Sequence, residues 1–98
     1  MTKRIIVRAA AEADMAEAQE WYNAQRLGLG EQFVLCVEET FERLSHTPEM
    51  HQKVFKDARR AFVRRFPYLV YYRVRSDAVV ILAVVHGRRD PQHWQSRV

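Results

Sequence analysis

Apolar residues recur along this chain in three successive rhythms. In KRIIVR (3–8), Ile5 and Val7 alternate with Arg4, Ile6 and Arg8, the period-two pattern of a short strand. From 11 to 26 the spacing becomes helical. Ala11, Met15, Ala18 and Tyr22 share one stripe with Trp21 beside it, and Glu12, Glu17 and Glu20 fall on the polar side. The segment LGLG (27–30) interrupts the pattern, glycine supplying the turn. Phe33, Val34, Val37, Phe41 and Leu44 then predict a second helix. It should end at Thr47-Pro48, because the residue before proline avoids the helical region. So short a link makes the two helices antiparallel.

The third rhythm begins near residue 53 and is strand-like. AFVRRF (61–66), LVYYRVR (69–75) and AVVILAVVH (78–86) read as three strands. Ser76-Asp77 is short enough for a tight hairpin, and Pro67 suits a strand edge or turn. The run from Ala78 to Val85 has no polar residue, which predicts a central strand covered on at least one face. The expected fold is therefore α+β in the order β-α-α-β-β-β, a helical hairpin packed on one face of a small antiparallel sheet. Residues 1–98 make one domain, with no internal repeat, low-complexity segment or linker.

Composition narrows the function classes. With 48% hydrophobic residues and only three glycines and three prolines, the chain should fold rather than stay disordered. Cys36 is the only cysteine, so no intrachain disulfide or CxxC metal knuckle can form. Its place in the apolar repeat predicts a buried, inert thiol. The start MTKRIIVRAA has an apolar stretch too short for a signal peptide, and no segment is long enough to span a bilayer. A cytoplasmic location without membrane association is the expectation.

Charge is distributed unevenly. Residues 1–49 carry five Lys/Arg against nine Asp/Glu, a balance of −4, and residues 50–98 carry eleven against three, a balance of +8. Such asymmetry suits an anionic partner, although arginines can also simply solvate a sheet face. His46, His51, His86 and His93 show no HExxH pair or thiolate partner, so no metal site is expected. A nucleophile elbow and glycine-rich phosphate loops are both absent, and no cofactor is expected. What remains is arginine. Arg59, Arg60, Arg64, Arg65, Arg73, Arg75, Arg88, Arg89 and Arg97 lie on or beside the three strands. Arg73 and Arg75, two apart, should point together. Tyr68, Tyr71, Tyr72 and Trp94 are interleaved with them. Guanidinium forks with aromatic faces suit nucleic acid or an acidic protein equally, and composition leaves both open. Trp94, set amid Gln92, His93, Gln95 and Ser96, is expected at an interface rather than in the core. The alternative is that its ring caps the sheet edge.

The stretch RRAFVRRFPYLVYYRVRSDAVVILAVVHGRRDPQHWQSR resembles the C-terminal half of RelE/ParE-type toxins of bacterial toxin–antitoxin pairs. FPYLVYY, VVILAVVH and the RRDPxxWxxR ending carry most of the likeness. Ala11, Asp14, Met15, Ala18 and Tyr22, then Phe33, Leu44 and Pro48, agree with it in the first half. The resemblance implies a type II toxin neutralised by a cognate antitoxin. That antitoxin is expected to be ParD-like, a ribbon-helix-helix protein whose C-terminal segment wraps the toxin.

Within the family, RelE-like members cleave messenger RNA in the ribosome with sheet cations and a C-terminal tyrosine, and ParE-like members act on DNA gyrase. Here Arg88 matches the C-terminal arginine of the nucleases, but Trp94 stands where their tyrosine would. Tyr68 replaces a sheet arginine, and of two sheet lysines Arg59 matches one and Ala61 the other. A nuclease built from this chain would need His86, Tyr72 or His93 to serve with Arg60 and Arg88. These departures favour a ParE-like gyrase inhibitor over a ribosome-dependent endoribonuclease. Arg64, Tyr68, Arg73, Arg75, Arg88, Arg89, Trp94 and Arg97 are its candidate target- or antitoxin-binding residues.

Overall fold

The computed structural model describes residues 2–98. Strand β1 (Arg4–Val7) leads into helices α1 (Ala9–Gln25) and α2 (Leu29–His46). Strands β2 (Lys53–Phe55), β3 (Ala58–Phe62), β4 (Tyr68–Val74) and β5 (Ala78–His86) follow, then the short helix α3 (Pro91–Gln95). The α+β class and the helical hairpin on the sheet are as the patterning predicts. The sheet itself differs from an antiparallel four-strand one. Its order is β1-β5-β4-β3-β2, and β1 runs parallel to β5 while the other pairs are antiparallel. Tight turns force β2 to β5 to alternate in direction, whereas β1 is freed from that rule by the helical hairpin that follows it.

The hairpin turn is fixed by two glycines. Gly28 sits at φ 91°, a left-handed conformation that glycine adopts without strain. A Cβ on Gly30 would lie 2.3 Å from the Gln19 carbonyl oxygen, so only glycine lets the helices approach this closely. The Asn23 Oδ1 atom accepts hydrogen bonds from both amides, at 3.2 and 2.8 Å. Thr47 ends α2 next to Pro48, and the Tyr72 hydroxyl donates to the Pro48 carbonyl at 2.7 Å. Burial pushes that phenol up to about 12, so it stays a proton donor across physiological pH.

Two apolar layers cover the sheet. Phe33, Val37, Phe41 and Leu44 pack with Val70, Tyr72, Val79, Ile81 and Val84 on the helical face. On the opposite face Leu69, Tyr71, Leu82, Ala83 and Val85 gather around Trp94. Fully burying each such side chain is worth roughly 1.5–3 kcal/mol, so both layers matter to stability. Tyr71 pairs with Ala83 but Tyr72 with Ile81, which leaves Leu82 as an extra residue, a β-bulge in β5. The bulge lets both Leu82 and Ala83 face the Trp94 side.

One local expectation is corrected, and two short elements are added. The strand predicted at 61–66 occupies 58–62 instead, because Arg65 takes a left-handed φ of 69° and the Val63 amide bonds across a turn to the Tyr68 carbonyl. β2 adds an edge strand, three residues long, whose pairing with β3 is irregular. Helix α3 is the other: Asp90 caps it by accepting from the Gln92 amide at 3.0 Å, and Pro91 opens it.

Candidate partner-binding surfaces

The candidate arginines separate by what their side chains touch. Arg97 lies inside the protein, bonded to both carboxylate oxygens of Asp14 at 2.7 and 3.1 Å and to the Leu82 carbonyl at 3.1 Å. Arg73 is largely buried against Asp57 at 3.0 Å, and Arg75 reaches the same carboxylate at 3.6 Å, so the two do point together. Arg64 turns back to Glu39 on α2 at 3.0 Å, and Arg65 to Gln32 at 3.2 Å. Arg59 donates to the His51 carbonyl at 2.6 Å. Among the described residues, Arg60, Arg88 and Arg89 meet no carboxylate within ion-pair distance. Arg88 and Arg89 are exposed in the turn between β5 and α3.

Trp94 is corrected from surface to core. It is only 6% exposed, its ring is stacked on Tyr71 at 3.7 Å, and Phe55 meets it edge-on at 5.8 Å. The capping alternative therefore holds: α3 lays this ring over the sheet. Of its polar neighbours in sequence, Gln92 and Ser96 are exposed, and Trp94 is the one buried residue of this five-residue helix.

The sheet divides the residues that a nuclease would need. Arg60 pairs across the strands with Tyr71, on the face that Trp94 covers. Its guanidinium lies 5.4 Å from the ring of Phe62, which is 63% exposed and was not anticipated as a site residue. His86 pairs with Tyr68, whose ring packs on Tyr22 and Phe33 of the helices, so His86 belongs to the opposite face. The His86 Nδ1 atom accepts the Arg88 amide at 3.0 Å, which leaves the proton of a neutral ring on Nε2. Tyr72 is fully buried on the helical face. His93 lies between Arg97, at 3.1 Å, and Arg89, at 3.4 Å. Arg60, His86 and Arg88 are thus not brought together as one set.

Two features organise the helical face instead. A cleft of about 420 Å³ opens between α1 and the end of β5, lined by Trp21, Tyr22, Tyr68, His86 and Arg89 with Asp14 and Glu17. Burial, with Tyr22 and Glu17 nearby, raises the Tyr68 phenol above its ordinary value, against the pull of Arg89. Trp21, placed beside the apolar stripe in the sequence, is 57% exposed. Among the described residues no three His, Cys, Asp or Glu side chains form a group able to hold a metal, and no helix is long and apolar enough to cross a membrane.

A family model for the ParE toxin of the type II toxin–antitoxin system, parDE, matches residues 5–91. The chain belongs to the ParE toxin family. Toxin ParE2 of Mycobacterium tuberculosis, in strains CDC 1551 / Oshkosh and ATCC 25618 / H37Rv, is 31% identical over 99 residues, spanning all of this chain and 94% of the relative. A solved structure of the chromosomal ParDE TA system from P. aeruginosa aligns with a TM-score of 0.78 over 87% of this chain and 96% of that one. At 16% identity it speaks for the fold alone. The family match stops at Pro91, so Trp94 and Arg97, which fasten the tail of this ParE-family chain, lie beyond it.

Proposed function

We propose that this chain is the toxin of a ParDE pair, that it inhibits DNA gyrase by binding, and that a ParD-like antitoxin neutralises it. One observation carries the choice of target. The groups required for metal-independent RNA cleavage are split between faces, Arg60 on one and His86 on the other, with Tyr72 buried and an indole at residue 94. General acid–base catalysis needs both groups within reach of one reacting phosphate, and loss of either commonly removes 10²–10⁴-fold in rate. A binding surface has no such requirement. The uncovered strip of Arg60 and Phe62 offers a cation and an exposed aromatic ring to an acidic surface.

The test pairs a gyrase supercoiling assay with an in-vitro translation reaction read by primer extension on the message. Inhibition of supercoiling with the message intact is the expected result. Codon-dependent cuts with gyrase untouched would overturn it in favour of ribosome-dependent cleavage.

A further inference from the structure

We propose that the cleft between α1 and β5 is a docking pocket for one apolar side chain of the antitoxin, followed closely in that segment by a carboxylate that pairs with Arg89. The inference rests on the antitoxin-neutralised reading above and adds where and by what chemistry the antitoxin is gripped. Tyr22 and Tyr68 form aromatic walls whose rings are 6.0 Å apart, and His86 meets Tyr68 edge-on at 5.5 Å. Trp21 stands exposed at the lip, and its ring meets Tyr22 at 5.1 Å. A volume of about 420 Å³ accommodates one large side chain without rearrangement of the walls.

Charge and main chain select the occupant. Asp14 lines the cleft, but Arg97 and the Val84 amide already satisfy its carboxylate. Arg89 meets no carboxylate within ion-pair distance, its side chain touching only the His93 ring at 3.4 Å, and so remains available to an incoming carboxylate. Glu17 on α1 repels a second acid, which places the acidic residue of the partner at the Arg89 end. Beyond Ile81, β5 pairs with β4 alone, and because Asp14 and Arg97 take the Val84 amide and the Leu82 carbonyl, an extended segment would join this edge only after Val84. An apolar-then-acidic extended segment meets all of these conditions.

The test measures binding of the purified full-length antitoxin from the same operon to wild-type toxin and to Trp21→Ala, Arg89→Glu and Met50→Ala, by calorimetry. Circular dichroism confirms that each variant is folded. Trp21→Ala and Arg89→Glu should each weaken binding roughly tenfold or more, as loss of an anchor does, while the exposed Met50→Ala should not. Unchanged affinity in both cleft variants overturns the pocket and leaves the antitoxin reading standing. Absence of any wild-type complex overturns that reading itself. Wild-type toxin that dimerises alone, and becomes monomeric on Trp21→Ala, assigns the cleft to a second copy and overturns the proposal as well.

Discussion

The Asp14 carboxylate binds the Arg97 guanidinium through two hydrogen bonds of 2.7 and 3.1 Å, joining residues 83 positions apart. Around this pair, Arg97 also holds the Leu82 carbonyl at 3.1 Å, and Asp14 accepts the Val84 amide at 3.0 Å. Both groups belong to the stretch of β5 that has run past the end of β1. Two side chains thus do for the β5 edge what a neighbouring strand would do, and they fasten the tail to α1 in the same step.

Breaking this pair should be costly. The two side chains are 12% and 19% exposed, so removing one leaves a largely desolvated charge and an orphaned backbone group. Asp14→Ala or Arg97→Ala should each lose about 3 kcal/mol in urea melts. The double variant should lose clearly less than the sum, the signature of direct coupling. Additive losses would mean that the pair is incidental.

Trp94→Ala should act on stability. Removing a buried Trp typically costs about 3–5 kcal/mol, and here it also strips the cover from Tyr71 and Phe55. Trp94→Phe, which keeps a stacking ring, should recover most of that loss. Gyrase inhibition per mole of folded Trp94→Phe protein should match wild type. A well-folded Trp94→Phe without activity would instead make the indole a contact residue.

Acid should loosen the α2–β2 connection. His51 is held below its ordinary value of 6.5 by burial and by the neighbouring cations Arg43 and Arg59. Its ring lies edge-on to Tyr72 at 6.3 Å. Because the folded state resists protonating this ring, the unfolded chain binds the extra proton first. The contribution is therefore complete above pH 6.5 and is lost as pH falls below it toward the depressed folded value. Melting temperatures of wild type and His51→Gln should converge between pH 7 and pH 5. Parallel curves would dissociate His51 from acid sensitivity.

Local signals reached some of this architecture and missed the rest for physical reasons. The Ala78–His86 strand was legible because an unbroken apolar run lies between Ser76-Asp77 and His86-Gly87. Thr47-Pro48 and Gly28 likewise carry their own backbone restrictions. Strand direction leaves no mark on alternation, so the parallel β1–β5 pair stayed hidden. The shift of β3 to 58–62 follows from its register with β4, a non-local choice. Arg97 looked like a surface cation because nothing nearby in sequence announces Asp14 as its partner. Helix α3 was readable in principle, since Asp90-Pro91 is a helix-start signature. Phe62 was read only as part of a strand; the layer around Trp94 buries Ala58 at the start of β3 and stops short of Phe62 at its end.

That uncovered strip yields a prediction about target contact. Arg60 lies over Phe62 at 5.4 Å, so the ring and the guanidinium present one cationic-aromatic surface. Phe62 is too exposed for its truncation to open a core cavity, and Arg88 is exposed in its turn. Phe62→Ala, Arg60→Ala and Arg88→Ala should therefore keep the wild-type melting temperature within a few degrees. Each should weaken inhibition of gyrase supercoiling roughly fivefold to thirtyfold, the range of 1–2 kcal/mol at an interface anchor. Inhibition by the wild type should also fall as salt rises from 0.05 to 0.3 M, because screening weakens guanidinium contacts at a partly wet surface. Met50→Ala, an equally exposed apolar truncation between α2 and β2, serves as the control and should retain full potency. Full potency in both Phe62→Ala and Arg60→Ala would move the proposed gyrase contact away from this face.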